Sequence, residues 1–239
     1  MGYIGWIDSF EGHKGTGKEM VYESEMVREL RNLGAILYCK TSVPHTLMAG
    51  ETINNIVGYT WNPRNRFLSS GGSSGGEGAL IALKGSPVGL GTDISGSIRI
   101  PAAFNGLYGL RPSTGRLPYE GTANSMDGQN SMLSVVGPMA ASVRSLRLLV
   151  KCILSQKPWL HDPLVLEIPW RHQDSLDGQP LTFGIMKHDG LITPHPPVTR
   201  AIDIVISAVQ KMGHRVTDWS PPSHARGYAL VVNAPLPGI

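Results

Sequence analysis

The chain is short of several things. Only two of its 239 residues are cysteines, Cys39 and Cys152, too few for a disulfide framework, so both read as reduced thiols. Charged residues make up 16% of the sequence and aromatic residues 7%. Basic residues outnumber acidic ones by only three. Arg28, Arg31, Arg64, Arg66, Arg144 and Arg147 are scattered, with no run and no interleaved aromatics, which argues against a nucleic-acid face. The opening MGYIGWIDSF has no basic stretch leading into an apolar one, so it does not read as a signal peptide. No apolar run approaches the ~20 residues of a membrane span. These absences predict a soluble, cytoplasmic protein. The eight histidines contain no HExxH and no ligand-like spacing, so no metal is expected.

Glycine and proline are plentiful, at 29 and 18 residues, which fits a protein of many ordered loops. Between the loops, periodicity alternates. In 19–33 apolar residues recur at Val21, Met26, Val27, Leu30 and Leu33, a helical stripe that Gly34 stops. AILYC, 35–39, follows as a short apolar strand of the kind buried on both faces, ending at Cys39. SLRLLVKCIL (145–154) reads as a helix and TFGIMK (182–187) as a strand. Pro197 opens a further helix, Gly213 closes it, and HRVTDW continues as a strand. Helices alternating with apolar strands predict an α/β layered fold with a parallel or mixed sheet. The polar, proline-rich 161–180 reads as a surface excursion. GHKGTGKE, 12–19, matches G-x-x-x-x-G-K. However, Glu19 stands where a phosphate-binding loop needs a hydroxyl, and the preceding segment is a poor strand, so a loop is the better reading.

Two loops concentrate serine. GGSSGGEG (71–78) leads into the apolar ALIAL, so a helix would begin there and present N–H donors. SPVGLGTDISGSIRIP (86–101) runs a short strand, 87–90, into a loop holding Asp93, Ser95 and Ser97. Successive amides in such a turn can converge on a developing oxyanion. A serine there needs a base, because an unassisted hydroxyl is a weak nucleophile. A lone Gly/Ser loop is more often a turn than an active site. Two of them, each fused to apolar segments, shift the balance. Asp93 is expected to accept backbone N–H bonds and hold its turn. Arg99 is expected to anchor the loop through an ion pair, and His45 to play a structural role.

GGSSGGEGAL followed by GTDISGSIRIPAAFNGLYGLRPS resembles the signature of the amidase signature family, serine hydrolases of carboxamides. YCKTSVPHTL, NPRNRFLSSGG and DGQNSMLSVVGPMA agree with it. Within the family the likeness is to fungal acetamidases. The resemblance implies an α/β fold with a mixed sheet flanked by helices, incomplete at both ends. It also implies a partial amidase domain over 1–225, a divergent tail over 226–239, a small-molecule amide substrate and no cofactor. Family members use a Ser–cisSer–Lys triad. Ser97 matches the nucleophile and Ser73 the bridging serine on a cis peptide bond. Ile94, Ser95, Gly96 and Ser97 match the oxyanion segment, while Leu47 and Ser73 match positions lining the substrate pocket. The family's lysine lies upstream, in a segment like G-V-P-V-S-L-K-D, which has no counterpart in this sequence. Lys40 belongs to a different motif, where lysine is not the base. Ser95 stands where the family has glycine, a strain if that position needs positive φ. Two functions are therefore open: an amidase, or an inactive amidase fragment.

Overall fold

VVGPMA at Val135–Ala140 is buried at all six positions, and the first half of the molecule is built around it. The structure is a computed structural model that describes residues 3–4, 23–123, 128, 130–171 and 178–232. It divides into two units, Met1–Trp170 and Arg171–Ile239. In the first unit the strands are β1 (Tyr3–Ile4), β2 (Ile53–Asn54), β3 (Gly58–Tyr59), β4 (Trp61–Asn62), β5 (Asn65–Ser69), β6 (Val88–Asp93), β7 (Tyr108–Gly109), β8 (Thr122–Ala123) and β9 (Val135–Ala140). Its helices are α1 (Glu25–Asn32), α2 (Gly75–Ala82), α3 (Arg99–Asn105) and α4 (Val143–Ser155).

β9 is central because both its faces are apolar. The three-stranded antiparallel sheet runs β6-β9-β7. Side chains alternate across a strand, so Val136 and Met139 point to opposite faces. On one face Val136 joins Met26 and Leu30 of α1 and Val150, Ile153 and Leu154 of α4. On the other, Met139 packs with Ile81 of α2 and Ile98 and Ala102 beside and within α3. The result is a helix–sheet–helix layering. Short antiparallel pairs β1-β8, β2-β3 and β4-β5 lie outside this sheet. Caps set the helix starts: Ser24 accepts from Val27 N–H and Ser142 from Ser145 N–H. Gly34, at φ +81°, ends α1 as expected.

The second unit holds β10 (Thr182–Ile185), α5 (Pro196–Lys211), β11 (Arg215–Asp218) and α6 (His224–Val232). β10 and β11 pair in parallel, from Thr182↔Arg215 to Ile185↔Asp218. Parallel and antiparallel pairs thus both occur, as a mixed α/β fold requires.

Three expectations need correction. Residues 35–39 belong to no described strand, and they are not buried: Ile36 is 86% exposed. A strand needs a neighbour to bond its N–H and C=O groups, and no described strand pairs with this segment. Cys39 is accordingly exposed rather than packed. The 161–180 stretch is not wholly superficial, since Asp162 and Val165 are buried. Asp162 accepts from the amides of Tyr119 and Glu120, tying the stretch to the core. The 12–19 motif lies outside the described residues.

Glu29, on the buried face of α1, is fully enclosed. Desolvation, and after it the neighbouring Glu25 carboxylate, push its carboxyl up to about 8.

Candidate active site

β6 runs past the expected Leu90 to Asp93, so the second serine loop starts from a strand end inside the sheet. Asp93 is fully buried. Its carboxylate accepts from the Gly96 amide at 2.7 Å and the Ile98 amide at 3.2 Å. It also takes a two-pronged bond from Arg99, at 3.0 and 3.1 Å, and Arg111 stands 3.6 Å away. Burial alone would raise this carboxyl's pKa. The Arg99 guanidinium and the two amides outweigh burial and hold it below the usual carboxylate range. Asp93 therefore templates the turn, and Arg99 anchors it, as the sequence predicts.

Gly96 takes φ +141° within that turn, a conformation only glycine enters freely. Ser95 has no positive φ, so the strain expected of a serine there does not arise. Ser95 is exposed, Ile94 is half-buried, and Ser97 is buried at the head of α3.

The first serine loop docks against this turn. The Gly72–Ser73 peptide bond is cis. Ser74 N–H donates to the Ser97 carbonyl at 3.1 Å, so the two serine elements touch through their backbones. The adjacent serines are then told apart by their hydroxyls. Ser74 Oγ accepts from Thr92 N–H at 3.3 Å and sits 3.5 Å from the Thr92 carbonyl, which ties it to β6. Ser73, 1% exposed, sits beside it at the start of α2. Leu47 is half-buried in the 3-10 turn His45–Leu47, and His45 is exposed. The chain just after that turn crosses the loop closely: a Cβ at Gly72 would stand 2.6 Å from the Ala49 carbonyl oxygen. One at Gly76 would stand 2.5 Å from the Ser42 carbonyl oxygen. The glycines are thus required by close backbone approach.

Several supporting residues carry no sequence signal. Thr52, fully buried, donates its hydroxyl to the Gly71 carbonyl at 2.8 Å and accepts from the Gly75 amide at 3.1 Å. Asn105, at the end of α3, donates to the Ser70 and Pro101 carbonyls, both at 2.8 Å. Glu77 does have a signal, a lone charge in GGEGALIAL. Its carboxylate accepts from the Thr41 hydroxyl at 2.7 Å, and desolvation raises its pKa. Lys40, in the 35–41 segment, has its pKa lowered to about 8 by burial of its ammonium, although the residue as a whole is surface-exposed. Among the described residues, no three His, Cys, Asp or Glu side chains cluster to hold a metal ion. No described helix is long and apolar enough to cross a membrane.

A serine-bearing turn organised by a buried carboxylate is thus clasped to a second serine loop. Comparison with known proteins shows the family. The amidase family model matches residues 15–236. The acetamidase of Emericella nidulans is 48% identical over 237 residues, covering 97% of this chain and 42% of the relative. The Aspergillus oryzae acetamidase is 49% identical, covering 94% and 41%. Among solved structures, a fatty acid amide hydrolase superposes with a TM-score of 0.82 at 40% identity, over 87% of this chain and 37% of that one. A bacterial aryl acylamidase gives 0.71 at 26% identity, over 87% and 42%. The chain belongs to the amidase family. It spans less than half the length of the acetamidases it matches.

Proposed function

We propose that this chain carries the serine half of a carboxamide-hydrolysing site, with Ser97 as nucleophile and Ser73 as proton relay. The observation that carries the reading is the clasp between the Ser74 amide and the Ser97 carbonyl. It sets the cis Gly72–Ser73 bond beside the Asp93 turn. Ser97 Oγ attacks the amide carbonyl carbon while its proton passes to Ser73. The developing oxyanion faces the Ile94–Ser97 segment, where the amides of Ile94, Ser95 and Ser97 are the proposed donors. The Gly96 amide is spent on Asp93 and shapes the turn instead. Collapse of the tetrahedral centre breaks the C–N bond, and the relayed proton leaves with ammonia or an amine. Water then hydrolyses the acyl-serine to a carboxylate. Leu47 and Ile94 are proposed to line the acyl pocket of a small amide. The base is proposed to be a lysine on a segment like G-V-P-V-S-L-K-D, absent from the 239 residues. The two reduced cysteines support a cytoplasmic setting.

Acetamide and benzamide hydrolysis test this reading, using the chain beside a version extended by the lysine-bearing segment. Ammonia release by the extended version, abolished in Ser97→Ala, is the expected result. Turnover by the chain without that segment would put the base elsewhere, and retained turnover in Ser97→Ala would overturn the nucleophile.

A further inference from the structure

One hydroxyl holds both ends of the loop that carries Ser73. Thr52 donates to the Gly71 carbonyl at 2.8 Å and accepts from the Gly75 amide at 3.1 Å. Ser73 is the middle residue between those two points. A threonine hydroxyl has a single proton to give; here it goes to Gly71, which leaves a lone pair for Gly75. The side chain is fully buried, out of reach of bulk water. Its backbone is fixed as well. The Thr52 carbonyl accepts from the Thr60 amide at 2.9 Å, just before β2 begins its pairing with β3.

The need for a residue from outside the loop follows from how α2 starts. An N-cap side chain ordinarily accepts from an amide in the first turn of its own helix. Ser74 occupies that position, but its side chain makes no such bond. Its hydroxyl is tied to Thr92 of β6 instead. The opening amides are met from elsewhere: Ser74 N–H donates to the Ser97 carbonyl, Gly75 N–H to Thr52 Oγ1, and Gly76 N–H to the Ser42 carbonyl. Gly75 is matched to its partner, since a Cβ there would collide with Thr52 Oγ1 and stand 2.7 Å from Ser70 Oγ. Of the three acceptors only Thr52 uses a side chain, so only that contact can be removed by substitution.

We propose that Thr52 is a positioning residue for the reaction: its hydroxyl fixes the 71–75 segment and so holds the Ser73 hydroxyl in register with Ser97. The inference rests on the reading of Ser73 as proton relay. Without the Thr52 hydroxyl, the Gly71 carbonyl and the Gly75 amide lose their partner in a buried setting, and the loop must shift to satisfy them. A displacement of ~1 Å at a reacting group can cost about 10²-fold in rate. Thr52 itself is enclosed and out of reach of a substrate, so the loss falls on kcat and spares KM.

Thr52→Val removes the hydroxyl and keeps the shape of the side chain, whereas Thr52→Ser keeps the hydroxyl. In the version extended by the lysine-bearing segment, Thr52→Val is expected to lower kcat for acetamide at least ~10-fold per folded molecule, with KM within ~2-fold. Thr52→Ser should return kcat to within ~3-fold of the unsubstituted protein. Thr52→Ala repeats the test where the valine variant fails to fold. Ile153→Ala, in the cluster of α1, α4 and β9, shows what loss of stability does by itself: fewer folded molecules, each with unchanged kcat. In the 239-residue chain as it stands, Thr52→Val is expected to speed exchange of the Gly75 amide at least ~10-fold and to leave the Gly96 and Ile98 amides as they were. The proposal is overturned by unchanged Gly75 exchange, by a loss carried in KM rather than kcat, or by an equal loss in Thr52→Ser. Full kcat in Thr52→Val beside an impaired Ser73→Ala overturns it too, and leaves the relay standing. The relay reading fails by a different signature. Full kcat in Ser73→Ala, or no ammonia from the extended version, removes the relay and the part of Thr52 in it.

Discussion

Asp93 does more for the site than either proposed reacting serine, since four groups depend on its two oxygens. Asp93→Ala strands two amides and loosens Arg99, and is expected to cost about 3 kcal/mol in urea unfolding. Because its folded pKa is depressed, Asp93 stabilises the fold above its unfolded pKa, near 3.8. That stability drains away as pH falls through the still lower folded value. Glu29 has the opposite sign. Its unfolded pKa is near 4.5 and its folded pKa about 8. Stability is therefore unpenalised below the first, declines between them, and levels off above the second. Glu29→Gln should flatten that decline, and urea midpoints measured from pH 5 to 9 would show it. A decline unchanged in the variant would place its source in another group. Gly96→Ala is expected to lose on the order of 1–2 kcal/mol. Its Cβ would also press on Ile100 Cδ1, 2.8 Å away.

At the scale of elements, those marked by their own apolar period and end residues were the legible ones. α4, α5, β10 and β11 show in the apolar period and in their glycine and proline punctuation. The Ser142 cap of α4 is of the same kind, and Ser142→Ala should lower stability by about 1 kcal/mol. Ile153→Ala, in the cluster shared by α1, α4 and β9, should cost about 2–5 kcal/mol in the same assay. Residues 35–39 were illegible for the converse reason. Their composition is that of a buried strand, but a strand exists only where another backbone answers it. The extent of β6 was missed as well. Gly91, Thr92 and Asp93 look like loop, and only pairing with Gly137, Val136 and Val135 makes them strand.

For the molecule as a whole, every residue of this chain proposed for the site lies in the first unit. A chain ending at Trp170 should therefore retain the Asp93 turn, seen as slow exchange at the Gly96 and Ile98 amides. Fast exchange there would mean the second unit supports the turn. The sequence by itself determined the family, the two serine loops, and the roles of Asp93 and Arg99. These rest on residue type and short spacing, which survive in one dimension. Tertiary structure decided which of two adjacent serines is tied to β6 and that the left-handed position falls on Gly96 rather than Ser95. It also decided that Thr52 and Asn105 hold the loops and that AILYC is exposed and pairs with no described strand. Each of these depends on hydrogen bonds or contacts between segments distant in sequence, and such pairings appear only when the chain has folded.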